Sequence, residues 1–121
     1  MPTTSSSSVQ IFYPKFDQAY LLRILHERLK ILQKELQLLR VVLFGSYAKG
    51  NFTVESDVDL LIVYKGEERT DAYAIVKKSL DIPHLEPHLY SEEEYKKMER
   101  LIDRMSDGGI LILPKKPLDS Q

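Results

Sequence analysis

A chain of 121 residues is long enough for one small domain with its own core and too short for two. Lys and Arg number 17 against 18 Asp and Glu, so the net charge is −1 and no basic footprint for direct nucleic-acid binding is expected. With no cysteine there are no disulfides, thiolate zinc sites or cysteine nucleophiles, which fits a reducing cytoplasm, and no apolar run nears the roughly 20 residues that span a bilayer.

Residues 1–15 are rich in Ser and Thr and carry Pro2 and Pro14. Met1 to Gln10 has neither the basic start nor the apolar stretch of a signal peptide. A flexible N-terminal arm over 1–15 is expected, in which Ile11, Phe12 and Tyr13 could dock on the body or on a partner. From Asp17 to Leu39 the residues Leu21, Ile24, Leu25, Leu29, Leu32, Leu36 and Leu39 recur at helical spacing, with Asp17 as N-cap. Leu22, Ile31 and Leu38 widen this stripe and leave room for a homo-oligomer or partner contact.

Val41-Val42-Leu43-Phe44 reads as a strand buried on both faces, and Ser46 to Lys49 as a short helix ended by Gly50. Asp57 to Tyr64 reads as a second strand, Thr70 to Leu80 as a helix and Leu85 to Tyr90 as a third strand. Pro87 cannot donate to a ladder, so one side of that third strand should be an edge or a bulge. Ser91 with Glu94 forms a capping box. It opens a helix whose buried face is expected to be Tyr95, Met98, Leu101, Ile102 and Met105, with Gly108-Gly109 as its stop. Ile110 to Leu113 suits a short edge strand, and a loose tail is expected over 114–121. The domain proper should span 16–113, a small α/β (α+β) fold with helices packed on a mixed β-sheet.

Two short segments carry chemistry. Gly45-Ser46 lies between a strand and a helix start. Glycine there permits a close backbone approach, and the first helix amides face outward to an anion, with Lys49 near enough to add charge. The structural alternative is a turn that binds nothing. Asp57 and Asp59, at i and i+2 on a strand, project from one face. Two adjacent carboxylates repel, and a divalent cation such as magnesium supplies the missing charge. The alternative is a pair of exposed strand-end acids, or Asp57 capping the turn with Ser56. Glu86 on a neighbouring strand is the candidate third acid, able to share a metal or to accept a proton. His84, Glu86 and His88 also alternate, which leaves open a separate zinc or iron triad on the same segment. His26 reads as a helix-face residue.

Taken jointly, Gly45-Ser46, a gap of ten residues and Asp57-x-Asp59 resemble the signature of the DNA polymerase β-like nucleotidyltransferase superfamily. With Tyr47-Ala48-Lys49-Gly50 they resemble its small branch, the minimal nucleotidyltransferases that include the MntA-type antitoxins found with HEPN-domain toxins. The resemblance covers roughly 17–112 by element order and is specific over 45–63. Two departures stand out: Glu86, followed by Pro87, sits where the family has Asp, and Lys49 sits where Arg is common. The resemblance implies a two-metal site in which Asp57, Asp59 and Glu86 hold magnesium, with Gly45 and Ser46 (and Lys49 beside them) on the triphosphate of ATP. It implies an enzyme that transfers a nucleoside monophosphate to a hydroxyl, most plainly a tyrosine of a HEPN-type partner protein. The alternative is a non-catalytic antitoxin or scaffold subunit that acts by occlusion, against which both aspartates are present. The added nucleic-acid-binding or helical domains of larger superfamily members have no counterpart in this sequence.

Overall fold

The computed structural model describes residues 17–53 and 55–114. The arm expected over 1–15 and the tail expected beyond Pro114 fall outside the described residues. The first described element is helix α1 (Gln18–Leu32), capped by Asp17, whose carboxylate accepts from the Tyr20 amide at 2.9 Å. Strand β1 (Leu38–Phe44), the short helix α2 (Ser46–Lys49) and strand β2 (Val58–Tyr64) follow. Helix α3 (Ala72–Leu80), strand β3 (Leu85–Ser91), helix α4 (Glu92–Met105) and strand β4 (Ile110–Leu113) complete the order.

The four strands form one mixed sheet, ordered β3-β2-β1-β4. β1 runs antiparallel to both β2 and β4, while β2 and β3 run parallel with α3 as their crossover. β3 is an edge strand, which is where Pro87 is tolerated. The main core lies on one sheet face. There Leu21, Leu25, Leu29 and Leu32 of α1 and Val76 and Leu80 of α3 meet Val41, Leu43, Leu60 and Ile62. Arg28 ties the two helices together by donating to the carbonyls of Leu80 and Asp81, both at 2.8 Å, which satisfies the end of α3. The opposite face has a smaller core, in which Ile102 of α4 packs on Val42 and Leu61.

Two readings need correction. The first helix stops at Leu32, not Leu39. Lys34 and Glu35 donate back to Ile31 and Leu32 in a tightened turn, and Leu38 already belongs to β1, paired with Tyr64. A 15-residue helix is about 22 Å long and a seven-residue strand about 23 Å, so α1 ends where the sheet beneath it ends. In α4 only Ile102 of the expected face is buried; Tyr95 and Met105 are half-buried, and Met98 and Leu101 are exposed at 37% and 60%. Met98 has non-helical backbone angles (φ −122°, ψ 24°), and this kink breaks the stripe that an even 3.6-residue period assumes. The capping box at Ser91 and Glu94 forms in both directions. None of the described helices is long and apolar enough to cross a membrane.

Candidate active site

Because α4 covers only part of its sheet face, the end of that face at the start of β2 stays open. Asp59 lies there on β2, between Phe44 of β1 and Glu86 of β3 by strand register. The chain turns sharply after Phe44. Gly45 has φ 81° and ψ −156°, a region that side chains avoid, and it leads into α2. A Cβ on Gly45 would strike the Asp59 carboxylate, with Oδ2 the nearest atom. Glycine is therefore required twice over, by its backbone angle and by the carboxylate packed against it.

α2 is held from both ends. Gly50, at φ 83°, closes it by donating to the Ser46 carbonyl. Gln18 of α1 donates to the carbonyls of Tyr47 and Ala48, at 2.8 and 3.3 Å. Tyr47 is buried and stacks on Phe52 with ring centroids 4.2 Å apart. Burial pushes the Tyr47 phenol above its ordinary pKa, so it stays neutral and acts as packing. The loop back to β2 is tied by Ser56, whose hydroxyl accepts from the Thr53 amide at 2.8 Å. Asp57 follows, exposed, one residue before the strand.

Glu86 is exposed on β3 directly opposite Asp59 in the pairing register. Two positions on, His88 points the same way, with Nε2 3.3 Å from Asp59 Oδ1 and its ring 5.0 Å from that of Phe44. The side chains of His88 and Asp59 are 30% and 26% exposed, sheltered but open to a ligand. Gly45, Asp59 and His88 thus come together from the turn after β1, from β2 and from β3, with Glu86 next to Asp59 in the strand register. Lys49 is exposed at the far end of α2 and enters none of the ion pairs among the described residues. His84 precedes β3 with φ 62°, so it does not share the alternation of Glu86 and His88. His26 is exposed on α1, its ring Nδ1 2.9 Å from the Leu22 carbonyl.

Asp57, Asp59 and Glu86 offer hard oxygen donors of the kind that suit magnesium. Among the described residues, no three His, Cys, Asp or Glu side chains are already gathered as a metal cage. That argues against the zinc or iron triad at His84, Glu86 and His88. Magnesium asks for less, because it often uses one or two carboxylates and takes its other ligands from water and phosphate. Two contacts lay beyond sequence reasoning: Gln18 on α2, and His88 on Asp59. Only the i, i+2 spacing of Glu86 and His88 signalled the second.

A mixed sheet with a glycine turn packed on a strand aspartate is the frame of the site. The nucleotidyltransferase domain model matches residues 24–112, and the chain belongs to that family. Two proteins of Methanocaldococcus jannaschii (strain ATCC 43067 / DSM 2661 / JAL-1 / JCM 10045 / NBRC 100440), each named "putative protein adenylyltransferase", are 62% and 65% identical over 24 and 26 residues. Those stretches span 20% and 22% of this chain and only about a quarter, 24% and 26%, of the relatives. Among solved structures, a "putative nucleotidyltransferase from Sulfolobus solfataricus" superimposes with a TM-score of 0.54 at 18% identity, over 87% of this chain and 90% of that one. A mutant of the toxin-antitoxin MntA-HpeT superimposes with a TM-score of 0.51 at 14% identity, over 84% and 76%. At these identities the structural likeness establishes the fold.

Proposed function

We propose that the protein is a magnesium-dependent nucleotidyltransferase that moves AMP from ATP to a hydroxyl of a partner protein. Within that reading, the acceptor is a tyrosine of a HEPN-type toxin and the protein is its antitoxin. The observation that carries the proposal is the juxtaposition of Gly45 with the Asp59 carboxylate, with Glu86 opposite it. The start of a helix thereby adjoins hard oxygen donors. The names of the short matching relatives support adenylyl transfer to protein, and the toxin-antitoxin neighbour supports a toxin partner.

In this reading Ser46 and the opening amides of α2 orient the β and γ phosphates. Asp57, Asp59 and Glu86 are the residues that would hold magnesium, which when bound offsets the charge of the triphosphate. The acceptor hydroxyl oxygen forms a bond to the α-phosphorus, the bond to the bridging oxygen breaks, and pyrophosphate leaves. Glu86, exposed at the rim, takes the hydroxyl proton. Alignment and charge neutralisation supply most of the rate.

A second reading, an antitoxin that only occludes its partner, is favoured by the exposed apolar residues Ile31, Met98 and Leu101. Calorimetric titration of magnesium with a non-hydrolysable ATP analogue separates the two. Wild type should bind and an Asp57→Ala/Asp59→Ala variant should not; α-labelled ATP should then label a tyrosine of the partner. Absence of binding by the wild type, alone and with its partner, leaves only the occluding subunit.

A further inference from the structure

We propose that His88 is itself a metal ligand: Nε2 and Asp59 Oδ1 hold one divalent cation between them, and this nitrogen lets a site that takes magnesium bind first-row transition dications more tightly. The inference rests on the reading of Asp57 and Asp59 as a metal site.

The separation of the two atoms is the first argument. At 3.3 Å it is that of a hydrogen bond at the long end of the range. It suits two ligands of one ion. Donors each about 2.1 Å from a metal stand about 3.0 Å apart at a right angle and about 3.4 Å apart at a tetrahedral angle. The second argument is preorganisation. Phe44 leans across β2 from β1 and meets the imidazole at 5.0 Å with a 59° tilt, which limits how the ring can turn. Asp59 is likewise limited, because Oδ2 lies against Gly45 while Oδ1 faces His88. A nitrogen and an oxygen are thus held side by side, each against a neighbour from another segment.

The third argument is chemical. Carboxylates, phosphates and water suffice for magnesium, a hard ion that gains little from imidazole. A histidine beside the central acid favours an ion that accepts both donors, and manganese is the probe that can be seen. Glu86, two residues before His88 on the same face, and Asp57 remain available as further oxygen ligands.

The test titrates Mn2+ and Mg2+ separately into the full chain by calorimetry, using wild type, His88→Gln and Asp59→Asn. Nucleotide-free protein loaded with Mn2+ is also examined by electron spin-echo for modulation from a directly bound 14N. His88→Gln should lose about tenfold or more in Mn2+ affinity and less than threefold in Mg2+ affinity, and the wild type should show a nitrogen modulation that the variant lacks. Equal losses for both ions with no nitrogen signal would mean that His88 only orients Asp59, and would overturn the ligand assignment. Unchanged Mn2+ affinity would overturn it as well. Should His88→Gln misfold by circular dichroism, the wild-type nitrogen signal alone decides. If the wild type binds neither ion, or Asp59→Asn binds both as well as wild type, the metal site itself falls. That result is distinct from a site that binds both ions without using His88.

Discussion

Gly45 is the residue at which backbone and chemistry meet. Its dihedral angles lie where L-residues pay a steric penalty, and a methyl group there would displace Asp59. Gly45→Ala should therefore destabilise the fold by about 1–3 kcal/mol and also weaken triphosphate binding. Urea unfolding and an ATP-analogue titration of the same variant check both effects. Glu86 sits at the rim, exposed and outside every ion pair among the described residues. Glu86→Gln should leave stability unchanged and slow transfer more than it weakens triphosphate binding. Unchanged turnover would reduce Glu86 to a surface residue. The turn at Gly45 into the helix from Ser46 was legible in the sequence because it depends on local spacing. The contact of His88 with Asp59 was not, because it depends on which strand pairs with which and in what register.

Among the elements, α4 shows both what local rules decide and where they fail. Its capping box is a sequence-local device, and it forms as the spacing predicts. Ser91→Ala should cost about 1 kcal/mol by removing the bond to the Glu94 amide, measurable as a lower denaturation midpoint. Tyr95 donates to Asp103 at 2.7 Å across the Met98 kink. Burial first, and then this hydrogen bond, raise the Tyr95 pKa above its ordinary 10.0. A raised pKa means that the stability it contributes is present below pH 10 and is lost as pH rises through the higher folded value. Tyr95→Phe should flatten that alkaline decline, as thermal melts between pH 9 and pH 11 would show. The over-long first helix is the counterpart on α1. Leu36 and Leu38 keep helical spacing by coincidence, and both are buried for reasons that a helix does not supply.

For the whole molecule, the two sheet faces are unequal. α1 and α3 seal one face, whereas α4 touches the other chiefly through Ile102. Ile102→Ala should cost about 2–5 kcal/mol, while Leu101→Ala, exposed at 60%, should stay within about 0.5 kcal/mol. Chemical denaturation of the pair distinguishes them, although sequence periodicity gave both residues the same buried role. The partial cover also leaves Asp59 and Glu86 accessible, where a fully sealed face would bury both.

By itself the sequence determined the order of elements, the caps at Asp17 and Ser91 and the glycine turn, because each is a matter of neighbours along the chain. Tertiary structure alone decided where α1 ends, which face of α4 is buried, and that Gly45, Asp59 and His88 meet. Helix length answered to the span of the sheet, burial to the kink at Met98, and the meeting to strand order. None of these is encoded in the spacing of residues along one segment.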